Sequence, residues 1–377
     1  MERGRITWPQ LCMLTYLMVC ATAVLVIPTV ASQIAGRDAW MTSIIGSVAG
    51  FITLFIAMCL NRYYPEMTMV EYAPQLIGRW AGMIVNGVFL FFLLHNVGLI
   101  VREYGEFIVG SLLIRTPETV INTALIFVCA VAIRGGIEVI GKFALLIAPL
   151  FMILLLSIPL FLLPELSATE MFPILNNGWR LVLEGSITPA TWFLGFLLIG
   201  FFLPYAIGNR SRIKWSLSPL ILTLLTMVLT NLVCLFLFGP LTSMFTFPVF
   251  VASRYISLAG FFEHVEAIVV VLWVMGGFVQ IAAWYYVLVL GTAQWLRLKD
   301  YRPIIFPIGV LIIAMSFWIS DNLQDMVDLF MTTEPLFSAT MLLLYPLLLL
   351  IIAWWKRRRA QHWKRRDSSR NFDEKSD

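Results

Sequence analysis

Charge is what this sequence has least of. Asp, Glu, Lys and Arg make up 13% of its 377 residues, where soluble domains carry about 25%. Apolar residues reach 60%, against about 45–50% in soluble domains. That balance excludes a water-soluble globule and points to a polytopic membrane protein. Histidine is scarce as well: three residues, too scattered for a metal cluster. The five cysteines (Cys12, Cys20, Cys59, Cys129, Cys234) all fall in apolar runs, and none stands at CxxC spacing. Neither a disulfide framework nor a zinc site is supported. There is no GxSxG, no P-loop, no HExxH and no GxGxxG after a strand. The chain therefore reads as a non-enzyme, and the missing P-loop argues against a primary pump. Secondary transport or sensing remains. The start is basic (Arg3, Arg5), but the apolar run behind it is too long for a signal-peptide core and has no clear cleavage site.

What is present is a series of long apolar runs. About 20 apolar residues are needed to cross the hydrocarbon, and ten spans are read: 8–33, 40–60, 81–107, 119–134, 142–163, 188–208, 216–238, 262–295, 303–320 and 336–355. With the N-terminus inside, 21 of the 26 Lys and Arg fall on cytoplasmic segments. The positive-inside rule expects that bias. Both termini are then cytoplasmic, residues 1–360 form one transmembrane domain, and 361–377 form a cytoplasmic tail. The tail, from Lys356–Arg359 to Lys364–Arg366, is a stop-transfer and anionic-lipid patch. It has no fold or aromatic motif that would support nucleic-acid binding.

Span one carries Pro28 and, before it, the run Cys20-Ala21-Thr22-Ala23-Val24 near mid-depth. A proline removes one helical hydrogen bond and crowds the carbonyl four residues back. Such breaks persist where protein or a cavity covers them, and they mark transporter binding sites. A kinked anchor is the plainer alternative. The long external segments, about 164–187 and 239–262, each suggest a short surface helix and divide the chain into two five-span halves. Five is odd, so the halves insert with opposite orientation, and span six mirrors span one. Span six is interrupted by Gly195, Gly200 and Pro204; close helix packing is the alternative.

Spans three and eight carry polar groups where lipid would penalise them. Asn96 lies near the centre of one and Gln280 near the centre of the other. Gln280 and Trp284 are four apart and share a helix face. These groups read as the lining of a cavity or as interhelical glue. His95 is a candidate for the same cavity or a packed neutral side chain. Toward the outside lie Arg102, Glu103 and Glu106, and Glu263 and Glu266. They form a vestibule or a proton-sensitive relay, or they snorkel to the interface. Asp321, Asp325 and Asp328 read as a solvated acidic face.

Several stretches resemble the B-subunit of spore germinant receptors, the GerAB-type germination permeases of the amino acid/polyamine/organocation superfamily. They include Phe247-Pro248-Val249 through Phe261-Phe262-Glu263-His264-Val265-Glu266-Ala267, Arg102-Glu103-Tyr104-Gly105-Glu106-Phe107, Phe172-Pro173-Ile174-Leu175-Asn176-Asn177-Gly178-Trp179 and Leu298-Lys299-Asp300-Tyr301-Arg302-Pro303. The resemblance covers all ten spans. It implies an all-α, LeuT-like fold of ten helices, a five-plus-five inverted repeat with helices one and six broken, and a place in the inner membrane of the spore. It implies partners, an A-subunit and a lipoprotein C-subunit, and a role in binding a small germinant, often an amino acid. Ligand-lining positions by resemblance are Ala23, Asn96, Leu194, Gln280 and Trp284. Backbone amides at Ala21, Thr22, Ala23 and Gly195 would meet the ligand carboxylate at half-helix N-termini. Two departures stand out: the usual Gly-x-Gly of span one is Ala21-Thr22-Ala23 here, and an acidic residue common in span six is Leu197. The other reading is an ion- or proton-coupled amino-acid permease.

Overall fold

Apolar runs separated by glycine, proline and charge fold as helices, and in the computed structural model, which describes residues 2, 4–208, 212–256 and 265–373, they do so throughout. The first half holds α1 (Trp8–Ala35), α2 (Ala39–Tyr63), α3 (Met69–Ile77), α4 (Arg79–Ser111), α5 (Glu118–Arg134) and α6 (Ile137–Leu162). The second half holds α7 (Trp179–Gly185), α8 (Ile187–Leu194), α9 (Ile199–Phe202), α10 (Arg212–Phe238), α11 (Pro248–Arg254), α12 (Val265–Trp295) and α13 (Ile305–Ile319). It closes with α14 (Leu323–Met331), α15 (Thr333–Ser338) and α16 (Tyr345–Asp373). A π-helical turn, Ala339–Leu344, joins the last two. Eight stretches among the described residues are long and apolar enough to cross a membrane. The first of them, Trp8–Tyr63, contains both α1 and α2, while the 17-residue α5 is not among the eight. α7 and α11 supply the short helices expected in the two external segments.

α1 is the axis of the fold. Every residue from Leu14 to Ala31 is buried, because α10, α12, α6 and α2 pack around it. Its C-terminal end stops at Gly36, whose φ of 56° an L side chain rarely adopts. A single 3-10 turn at Gly36–Asp38 then reverses the chain into α2.

The expected break in span six is present, whereas span one shows none. After α8 the backbone tightens into 3-10 geometry at Gly195–Leu198, resumes as α9, and tightens again at Leu203–Tyr205 around Pro204. α1, in contrast, runs without interruption through Ala21-Thr22-Ala23 and past Pro28. Alanine is the best helix former and glycine costs about 1 kcal/mol more per residue, so two alanines hold a turn that two glycines would loosen.

Both ends of α1 are tied down. On one side the two-residue strand β1 (Ile6–Thr7) pairs in parallel with β2 (Ala206–Ile207). Trp8 Nε1 donates to the Gly208 carbonyl at 3.0 Å. Glu2 accepts from the hydroxyls of Tyr301 at 2.9 Å and Tyr286 at 3.1 Å. Burial first, and the Glu2 carboxylate second, hold the Tyr301 phenol above its usual range, so it serves as a neutral donor. At the other end Thr29 Oγ1 donates to the Phe245 carbonyl at 2.7 Å.

α2 and α8 approach closely where Gly46 meets the backbone of Ala190. A Cβ at Gly46 would sit 2.8 Å from the Ala190 nitrogen. Gly46→Ala is therefore expected to push α8 outward at a cost of about 1–3 kcal/mol. The thermal midpoint of the purified protein would fall by several degrees, and an unchanged midpoint would show that the contact is not tight.

Candidate functional site

In an α-helix the amide of residue 22 donates to the carbonyl of residue 18. Here both members of that pair are engaged from α12. Thr22 N donates to Gln280 Oε1 at 3.0 Å, and Trp284 Nε1 donates to the Met18 carbonyl at 3.1 Å. Trp273 Nε1 donates to the Ala21 carbonyl at 2.9 Å. Residues 273, 280 and 284 are seven and four apart and lie on one face of α12. One face of one helix thus bonds three neighbouring backbone groups of another.

Gln280 holds Thr22 twice, since its Nε2 donates to Thr22 Oγ1 at 2.9 Å. Trp192 of α8 donates to the same hydroxyl oxygen at 2.9 Å. Gln280 and Thr22 are both buried. The interrupted span six, the backbone of α1 and the polar face of α12 therefore meet at a single side chain.

Beside this clasp lies a cavity of about 40 Å³, lined among others by Thr22, Asn96, Glu103, Gln280, Trp284 and Glu334. Each water needs about 10–15 Å³ of such space, so the cavity admits only a few water-sized groups. α4 contributes Asn96 and Glu103, and α15 contributes Glu334. Asn96 Nδ2 donates to Glu334 Oε1 at 2.9 Å, and Ser338 Oγ donates to the same oxygen at 2.7 Å. His95 Nδ1 stands 3.6 Å from Glu334 Oε2, so His95 and Asn96 reach the same carboxylate from adjacent positions.

The structure brings Thr22, Asn96, Gln280 and Trp284 onto one cavity and leaves other candidates off it. Ala21 offers its carbonyl to Trp273, and Ala23 is buried in the packing around α1. Leu194 is buried but does not line the cavity; Thr191 and Trp192 do so from the preceding turn. Gly195 lies against the Trp284 ring, where an added Cβ would meet Cζ2 at 3.3 Å. No half-helix N-terminus is exposed at Ala21–Ala23, because α1 is continuous and the Thr22 amide is bonded.

The outer charges divide between two places. Arg102 pairs with Glu106 at 2.7 Å and with Glu118 at 2.9 Å, and donates to the Asp321 carbonyl at 3.0 Å. That network ties α4 to α5 and to the turn before α14. Glu103, the next residue, lines the cavity instead. Glu263 lies outside the described residues, and of Glu266 only the backbone, in α12, is described. Glu334 went unread in the sequence because it stands two residues before the tenth apolar run, beside a loop of solvated aspartates. Its spacing to Ser338, one turn on, is the signal that places it on a buried face. Trp192 and Trp273 carry no signal beyond apolar packing until their indole N–H groups find acceptors.

A family model described as spore germination protein matches residues 5–324. Spore germination protein KB of Bacillus subtilis (strain 168) is 23% identical over 354 residues, covering 92% of this chain and 94% of the relative. Spore germination protein YndE of the same organism is 26% identical over 302 residues, covering 78% and 82%. Among solved structures, MhsT in complex with L-phenylalanine is similar with a TM-score of 0.64 at 14% identity, covering 93% of this chain and 96% of that one. Mhp1, a nucleobase-cation-symport-1 family transporter in a closed conformation with bromovinylhydantoin bound, is similar with a TM-score of 0.63 at 12% identity, covering 88% and 78%. These likenesses show the LeuT-type fold.

The Thr22 hydroxyl oxygen serves two donors, so Thr22→Val would leave the Gln280 and Trp192 N–H groups without an acceptor. Each loss costs about 1–3 kcal/mol when the group is buried. Thr22→Val is expected to lower the thermal midpoint of the purified protein by several degrees, with Thr22→Ser restoring it. Equal midpoints for all three proteins would remove the clasp as a structural element.

Proposed function

The chain belongs to the spore germination protein family, and from that premise we propose that it is the membrane subunit of a nutrient germinant receptor, which binds a small molecule at mid-depth and signals to partner subunits. The ligand, an amino acid in this reading, enters between α1, α4, α8 and α12. One observation carries the proposal. The side chain that walls the cavity, Gln280, is the same one that bonds the backbone and hydroxyl of the central helix. A cavity of about 40 Å³ cannot take an amino acid without parting these groups. Occupancy therefore exchanges helix–helix bonds for ligand bonds, and a ligand biases a two-state equilibrium only through such differences.

The partners in this reading are an A-subunit and a lipoprotein C-subunit, and the setting is the spore inner membrane with both termini cytoplasmic. Relatives that carry the names spore germination protein A2 and B2 support membership of a multi-component system. The basic patch from Lys356–Arg359 to Lys364–Arg366 would meet anionic lipid. Apolar helices and the family support an integral membrane protein.

A second reading, an ion- or proton-coupled amino-acid permease, draws on the fold shared with MhsT in complex with L-phenylalanine and on the buried carboxylates of the cavity. The two readings share a site and differ in coupling. Gln280→Leu combined with Asn96→Leu is expected to abolish the germination response to nutrient while protein level holds, and an unchanged dose response would overturn the site. Labelled amino acid should show little flux into vesicles containing this chain alone. Robust concentrative flux would decide for the permease.

A further inference from the structure

Among the described residues the cavity wall carries two carboxylates and no lysine or arginine. Glu103 is 1% exposed and Glu334 is 2% exposed. Glu334 Oε1 is bonded by Asn96 and Ser338, but Glu334 Oε2 and Glu103 Oε1 have no hydrogen-bond partner among the described residues. Arg102, next to Glu103 in sequence, does not serve it, because its guanidinium is held by Glu106 and Glu118. His95 Nδ1, also without a hydrogen-bond partner among the described residues, faces Glu334 Oε2 at 3.6 Å, an ion pair only when the imidazole is protonated.

A buried carboxylate without a partner must take up a proton or a counter-cation. A cation in the cavity would stand among both carboxylates, since Glu103 and Glu334 each line it. The space also fits: about 40 Å³ admits an ammonium group or a bare alkali ion. We propose that Glu103 and Glu334 form a subsite for a monovalent cation, supplied by the ammonium group of a small organic ligand or by an alkali-metal ion, and this rests on the reading of the cavity as the ligand site. The amino acid then docks by its ammonium end at α4 and α15, whereas the sequence pattern pointed to docking of its carboxylate on α1.

The test uses the full chain in lipid nanodiscs, in a background of bulky N-methylglucamine chloride at fixed ionic strength. Thermal midpoints are measured with n-propylammonium, propionate and 1-propanol, which share a three-carbon body, and separately with sodium and potassium. n-Propylammonium is expected to raise the midpoint by a few degrees, saturably, with the effect lost in Glu103→Gln and in Glu334→Gln. Propionate and 1-propanol should leave it unchanged. Sodium or potassium acting in place of n-propylammonium, with the same loss in both variants, supports the subsite and assigns it to an inorganic ion. Equal effects of all three organic probes, or a cation effect that survives both substitutions, overturns the proposal. If those equal effects vanish in Gln280→Leu, the cavity still stands as the ligand site and only the cation subsite falls. The comparison of probes on the unaltered chain needs no variant, so misfolding of a glutamine variant leaves the test decisive.

Discussion

α1 has no face to give to lipid. With Leu14 to Ala31 wholly enclosed, every backbone group that its own ladder does not serve must find a partner in the surrounding helices. α12 provides them, through one glutamine amide and two indole N–H groups on a single face. Burial of apolar surface does little to hold helices together in a bilayer, since lipid tails are as apolar as leucine. Register between α1 and α12 is therefore set by hydrogen bonds. A shift of one residue would break all three of these bonds at once. The rest of the fold can be understood as what is needed to keep this contact dry and aligned.

That contact lies between two tied ends. The Glu2 cluster joins the first residues of the chain to Tyr286 of α12 and to Tyr301. The Arg102 network joins α4 to α5 and to the backbone at Asp321. Between them lies the cavity of about 40 Å³. A change in the cavity therefore cannot be absorbed by fraying at one end; it has to be taken up by relative movement of packed helices or by the 3-10 segments of span six. Those segments have poorer hydrogen-bond geometry than α-helix, and Trp192 couples the turn before them to Thr22. Span six is consequently the compliant side of the site and α12 the stiff one.

Depth made half of this legible in the sequence. Asn96, Gln280 and Trp284 could be singled out because lipid penalises polar atoms at mid-depth, and the same rule places them on one cavity. Span six showed its interruption through two glycines and a proline. The other half obeyed rules that compete with the pattern. Proline and a family motif argued for a broken span one, but Ala21 and Ala23 favour helix, and side chains from α12 satisfy the groups that unwinding would have exposed. Leu194 and Ala23 are at the right depth yet on faces turned to packing. Glu334 was hidden by its neighbours: three aspartates just upstream read as a solvated surface, and the apolar run begins two residues later. Indole donors are silent in any sequence, because tryptophan in a membrane is first of all apolar bulk.

Adjacent residues on α4 show how little sequence proximity constrains electrostatics inside such a bundle. Successive side chains on a helix diverge by about 100°. Arg102 and Glu103 are neighbours in the chain, yet the guanidinium turns to Glu106 and Glu118 while the carboxylate turns to the cavity. Had Arg102 been free, a charge one residue away would have neutralised Glu103 and left a polar but uncharged cavity. With two carboxylates already on Arg102, each holding it at hydrogen-bond distance, its positive charge is spent outside the cavity. The Arg102 network thus does two things with one arginine: it fastens α4 to α5, and it turns its positive charge away from the cavity.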